Sequence, residues 1–259
     1  MKGFEDHFSK QAHQYADYRP GYPVELFSYL AGLAPARQLA WDCGTGSGQA
    51  ARELVRYFER VVATDASSNQ LAEAFPHDRI EYRVERAEAV SLDTGSVDLI
   101  TVAVAVHWFD LEPFYQAVRR VGKKEGILAV WTYHLPEIDS VIDQVLYRYY
   151  KEILADYWPE RIRYLDERYQ TLPFPFEELV VPRFVAQADW DLEQMTGFLE
   201  SWSATRRYEK EHGKNPVGII RQELAERWGG PGTQRRIRWP LHMRVGRIAG
   251  GENKNKDQR

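Results

Sequence analysis

Cysteine is nearly missing from this 259-residue chain: Cys43 is the one example, so no disulfide can close within it. A cysteine-rich metal or redox module is thereby excluded, and a reducing interior is the expected setting. Long hydrophobic runs are lacking as well. No stretch of the sequence approaches the roughly 18 apolar residues of a membrane span. The first residues, Met1-Lys2-Gly3-Phe4-Glu5, carry no apolar signal core. Charge of one sign is not in excess, since 34 basic against 38 acidic side chains leave −4. Neither nucleic acid nor a membrane is therefore expected as a partner. His7, His13, His77, His212 and His242 stand at no ligand spacing, and no cluster predicts a bound metal. A soluble, cytoplasmic globular protein is the expectation that remains.

What is present is a core and a rhythm. Apolar residues make up 44% of the chain and aromatics 13%, enough for a sizeable interior. Arg19-Pro20-Gly21-Tyr22-Pro23 breaks an N-terminal helix from a second one over about 24–32. Short apolar strands then alternate with helices. Strands are predicted at 39–41, 61–64, 80–84, 97–106 and 126–132, and helices at 49–58, from Ser67 or Ser68 to about 73, and at 111–121. The run Val97–Val106 is almost wholly apolar, as a central strand buried on both faces would be. Such alternation predicts an α/β fold with a doubly wound, mostly parallel sheet. Past 135 the pattern loosens into helices at 138–170 and 191–226, a strand within 180–188, and an alternating stretch at 235–248.

Residues 1–250 are accordingly expected to form a single domain, with helices over 1–35 and a cofactor-binding core over 36–134. A mainly helical segment with one strand would occupy 135–232, a C-terminal strand 233–250, and 251–259 would be a disordered tail.

The chemistry concentrates after the first strand, in Asp42-Cys43-Gly44-Thr45-Gly46-Ser47-Gly48. Glycines there permit positive φ and let a ligand approach the backbone, while free amides at a helix start favour its negative end. A dinucleotide fingerprint needs Gly or Ala where Gln49 stands, and a phosphate loop needs Gly-Lys-Ser/Thr, which is missing. Asp42, two residues before the first glycine, is awkward beside a pyrophosphate and suits an ammonium group. Asp65, 23 residues further on at the end of the next strand, can accept both hydroxyls of a ribose. A nucleoside with a zwitterionic amino-acid tail fits both acids, and S-adenosylmethionine has that shape.

With these residues in view, the chain resembles the class I methyltransferases of the type 11 group, and within it the trans-aconitate methyltransferase-like proteins. The likeness is carried by Tyr15-Ala16-Asp17-Tyr18-Arg19-Pro20, Asp42–Gly48, Asp65, Ala87-Glu88, Ser96-Val97-Asp98-Leu99 and Ala103–Asp110 with its His107-Trp108-Phe109. Phe114-Tyr115 and Val130–Tyr133 complete it. The resemblance implies a Rossmann-like seven-stranded sheet with an antiparallel final hairpin and helical additions over the acceptor side. It also implies that Asp65 and its neighbour Ala66 hold the ribose, and that Gly44, Thr45, Gly46 and Gly48 pass under the methionine part. Ala87 and Glu88 would lie beside the adenine and Ala103 near the sulfonium, with Tyr15 and Arg19 closing over the cofactor. Two positions depart from the pattern: Arg86 where many relatives have an adenine-binding Asp, and Val104 where near relatives have Gln.

The expected activity is in-line transfer of a methyl group to a small molecule, with a carboxylic acid as first candidate. A carboxylate acceptor needs no base; a hydroxyl or amine would use one, and His107 is the best placed, with His134 behind it. The alternatives are a non-catalytic S-adenosylmethionine-binding regulatory protein and, further off, a nicotinamide-dependent oxidoreductase. Trp190, Trp202 and the tyrosines of 147–169 are read as core or acceptor pocket, and Arg206 and Arg207 as solvated or acid-binding.

Overall fold

The structure, a computed structural model, describes residues 18–230 and 232–248. The chain divides into two compact units. One, the sheet unit, holds Val24–Thr132, Thr171–Pro182 and the segment beginning at Met243. The other, the helical unit, holds Tyr133–Gln170, Arg183–His242 and the residues before Val24.

The sheet unit begins with helix α1 (Val24–Leu33), which starts after Pro23 and buries Leu26, Phe27, Leu30 and Ala31. Then come β1 (Leu39–Cys43), α2 (Gln49–Leu54), β2 (Arg60–Asp65), α3 (Ser68–Ala72), β3 (Ile80–Val84) and β4 (Val97–Ala103). Helix α4 (Leu111–Val121) runs directly into β5 (Gly122–Tyr133). β1 to β5 lie in the order β3-β2-β1-β4-β5, and each neighbouring pair is parallel. The first six residues of β4 are buried, as expected of a central strand, and they include the polar Asp98 and Thr101. α4 places Phe114, Tyr115, Val118 and Val121 on its buried face, and each large apolar side chain contributes roughly 1.5–3 kcal/mol. The buried Asp98 of β4 accepts the amides of Gln38 and Leu39, each at 3.0 Å, and pairs with Lys123 at 2.8 Å. That carboxylate fixes where β1 begins.

The helical unit starts from helix α5 (Ser140–Arg148), capped by the Asp139 carboxylate on the Val141 and Ile142 amides. A π-turn, Tyr149–Ile153, and short turns lead to one helical turn at Arg163–Asp166. Strand β7 (Val185–Trp190) precedes α6 (Leu192–Glu200), α7 (Ser203–His212) and α8 (Val217–Trp228). The Asp191–Gln194 capping box starts α6. Strand β8 (Arg235–Arg247) pairs its first half antiparallel with β7, Val185 opposite Pro240 and Trp190 opposite Arg235. Trp190, Phe198 and Trp239 pack ring against ring at 4.8–5.7 Å, and Tyr150, Trp158 and Trp202 form a second cluster. In this unit Trp190 and Trp202 are core residues.

Several expectations need correction. With β6 (Glu177–Glu178), the sheet has eight strands among the described residues where seven are expected, in the order β3-β2-β1-β4-β5-β8-β6 with β7 also on β8. The extra strand is the two-residue β6 (Glu177–Glu178), antiparallel to Gly246 and Arg247, so 135–232 holds two strands where one is expected. β4 ends at Ala103 instead of Val106, and β5 begins at Gly122 instead of Gly126. α2 ends at Leu54, short of the predicted 58. The expected N-terminal helix with Tyr15, and the tail 251–259, lie outside the described residues. Among those described, no helix is long and apolar enough to cross a membrane. No group of three or more His, Cys, Asp or Glu among them is placed to hold a metal ion.

Candidate functional site

In the sheet unit the strand order reverses between β1 and β4. Their carboxyl ends flank the crevice where open α/β sheets take ligands. The loop after β1 and the residues after β4 meet there. Gly44, Gly46 and Gly48 all have positive φ, at 68°, 56° and 84°. A Cβ on Gly44 would come within 2.7 Å of Ala105 Cβ, and one on Gly48 within 2.5 Å of the Tyr82 hydroxyl. Gly46 differs, because a Cβ there would meet only Gln70 Oε1, at 3.6 Å. Gly44 and Gly48 are thus required by the protein's own packing, while a Cβ at Gly46 would make only an ordinary van der Waals contact.

The amides of Gly44, Thr45, Gly46 and Gly48 are not free, contrary to expectation. Gly44 and Thr45 donate to the Thr64 carbonyl at 2.8 and 3.0 Å, and Gly48 donates to Thr45 at 3.0 Å. Gly46 donates to Asp65 Oδ2 at 2.9 Å. α2 has six residues, and its N-terminus begins from Gly48 with no side-chain cap. The loop therefore offers shape and closeness, with little capacity for an anion.

Asp42 is buried, with 1% exposure. Thr45 Oγ1 donates to one of its oxygens at 2.5 Å and Thr101 Oγ1 to the other at 2.8 Å. Burial pushes its carboxyl from 3.8 up to about 6, against the pull of these hydroxyls. Its observed part is to bind the loop to β4. The thiol of the adjacent, buried Cys43 is pushed up by the same burial, which makes it inert at neutral pH. Asp65 is half-buried at the end of β2, and its oxygens accept the Gly46 and Ser67 amides, each at 2.9 Å. Ala66 follows, half-buried, and Ser67 caps α3.

Glu88 sits in a one-turn 3-10 helix with the buried Ala87. It accepts the Asp110 amide at 2.9 Å and pairs with Arg86 at 3.2 Å, so the departure at Arg86 is answered within the chain. Ala103 is half-buried at the end of β4. Val104 follows with φ 53°, left-handed in a β-branched residue, and its amide donates to the Trp131 carbonyl at 2.8 Å. Nothing in the sequence marks that strain. His107 is buried, 3% exposed, with its ring 4.8 Å from Trp108. Arg19 belongs to the helical unit, where its Nη1 donates to the Tyr133 hydroxyl at 3.0 Å and its guanidinium lies 5.3 Å from the Phe198 ring. Asp42, Gly44–Gly48, Asp65, Ala66, Ala87, Glu88 and Ala103 all fall in the sheet unit.

Comparison with known proteins decides the family. Residues 41–130 match the family described as Methyltransferase domain. A Dictyostelium discoideum protein described as a methyltransferase is 35% identical over 225 residues, 85% of this chain and 86% of that protein. The chain belongs to the class I S-adenosylmethionine-dependent methyltransferases. A Saccharomyces cerevisiae relative described as such a methyltransferase is 26% identical, over 82% of this chain and 86% of that one. A solved structure described as a type II methyltransferase of Anaeromyxobacter dehalogenans aligns with a TM-score of 0.83 and 41% identity. It covers 90% of this chain and 99% of its own. This methyltransferase is therefore an enzyme with a Rossmann-like α/β fold, and the nicotinamide reading falls away.

Proposed function

We propose that the methyl acceptor is a small molecule, with a carboxylic acid as the leading class, and that the S-adenosylmethionine site is the crevice between the ends of β1 and β4. The observation that carries the site is Asp65, half-buried at the carboxyl end of β2 with one oxygen on the Gly46 amide and the other on the Ser67 amide. The residues fit the cofactor: Gly46 puts no side chain beside that carboxylate, and a nucleoside's ribose needs such a pair of acceptors.

Asp65 and Ala66 would hold the ribose, Ala87 and Glu88 the adenine, and Gly44, Thr45, Gly46 and Gly48 the methionine portion. When bound, S-adenosylmethionine supplies a methyl group already activated for in-line displacement. Asp42 keeps the loop in register through Thr45 and Thr101, and its charge favours the ammonium end across the loop. Ala103, small and at the strand end, leaves room beside the sulfonium. Tyr15 and Arg19 would close over the cofactor, and His107 is the candidate base for an acceptor that carries a proton. Neither nucleic acid nor a membrane is proposed as a partner, in keeping with the net charge of −4.

The test is a screen with a methyl-labelled donor against aliphatic acids, phenols and amines. Label is expected in an acid first. Label in a nucleic acid or protein, with none in any small molecule, would overturn the reading.

A further inference from the structure

The helical unit contains a cavity of about 1100 Å³, walled by α5, the end of α8, and the chain around Arg183 and His242. That is just above the ~300–1,000 Å³ typical of small-molecule sites. Leu135, Val141, Phe184 and Leu241 give it apolar wall. Two features set its chemistry.

The first is an ordered histidine. His134 lines the cavity and its Nε2 lies 2.9 Å from Asp166 Oδ1. Asp166 is itself fixed by the Tyr150 hydroxyl at 2.6 Å and Lys151 Nζ at 2.7 Å. With Nε2–H given to the carboxylate, Nδ1 is left as an acceptor, and it has no partner among the described residues. Burial lowers the basicity of the ring, which keeps the neutral form at physiological pH.

The second is an excess of guanidinium. Arg148 and Arg227 are both spent on Glu223. Arg168, Arg183 and Arg238 also line the cavity, and among the described residues their side chains meet no carboxylate. Facing them are Glu137 and Glu152, and Asp143, which accepts the Ile138 amide at 2.9 Å and whose carboxyl burial raises. Five arginines against four carboxyls leave an excess of one positive charge, which suits a carboxylate better than a phosphate dianion. Arg168 is close enough to His134 and His242 to act on both electrostatically. His242 is pushed down to about 4 by burial, then by Arg168 and His134.

We propose that this cavity binds a small hydroxylated organic acid, its hydroxyl donating to Nδ1 of His134 and its carboxylate paired with Arg168. The proposal goes beyond the cofactor site and does not require this acid to be the methyl acceptor.

Matched ligands test it by calorimetric titration of the full chain. Lactate and propionate differ by one hydroxyl, as do 4-hydroxycinnamate and cinnamate; inorganic phosphate is the third arm. In at least one pair the hydroxy acid is expected to bind saturably and about tenfold tighter than its deoxy partner. Arg168→Gln should weaken both members about tenfold, and His134→Gln should abolish the difference between them. Retention of the melting increase with S-adenosylhomocysteine would show that these variants fold and would report separately on the cofactor site. If His134→Gln does not fold, the matched pairs on the wild type and Arg168→Gln still decide. Four results would overturn the proposal: no saturable binding of any acid, deoxy acids binding equally, phosphate binding as tightly, or full affinity in Arg168→Gln.

Discussion

Gly44 lies against Ala105 so closely that a Cβ on the glycine would stand 2.7 Å from that of the alanine. The loop after β1 is thus set by contact with the chain after β4, across the point where the sheet changes direction. Gly44→Ala meets that clash and the cost of φ 68° together. Gly46→Ala meets only the backbone cost, roughly 1–2 kcal/mol. Urea denaturation should show Gly44→Ala less stable than Gly46→Ala by at least about 1 kcal/mol. Equal losses would mean that Ala105 gives way freely.

Asp42 makes stability depend on pH in an unusual direction. Its carboxyl is raised from 3.8 to about 6, so across that window the folded chain holds a proton that the unfolded chain has released. This contribution favours folding below the lower value and is lost as pH climbs to the upper one, by roughly 3 kcal/mol. Asp42→Asn has no such titration. Measured by urea at pH 4 and pH 7, the variant should gain on the wild type by roughly that amount between the two. A difference that stays constant with pH would contradict the upward shift that burial gives this carboxyl.

Val104 holds φ 53° at the end of β4. A side chain branched at Cβ pays roughly 1–2 kcal/mol for that conformation. Glycine removes the cost and adds about 0.5–1 kcal/mol of unfolded-state freedom. Val104→Gly should therefore be neutral or up to about 1 kcal/mol more stable in denaturant. A loss beyond about 1 kcal/mol would show that the valine's packing outweighs its strain.

The strain at Val104 also explains what the sequence hides. The apolar run continues to Val106, so periodicity extends the strand through residues where the backbone has already turned left-handed. β3 and α4 are legible to the residue because patterned segments end there at charged or turn residues. β5 starts four residues early, through Gly122-Lys123-Lys124-Glu125, since hydrogen bonding to a neighbour does not need an apolar side chain. β6 is Glu177-Glu178 alone, which has no pattern to read. Asp42 and Asp65 stand out in the sequence by their distance from the glycines. That Asp42 faces two threonines, and that the Gly44 and Thr45 amides are spent on Thr64, depends on the pairing of β1 with its neighbours. His134 and Asp166 are 32 residues apart, and no local rule joins them.

Titration with S-adenosylhomocysteine, on the wild type and on Asp65→Ala, tests the proposed cofactor site most directly. Saturable binding with a rise in melting temperature is expected for the wild type, with affinity lost by about a hundredfold or more in the variant, as two charge-assisted hydrogen bonds to a ribose would require. An unchanged melting temperature at saturating ligand, or full affinity in a folded Asp65→Ala, would contradict it.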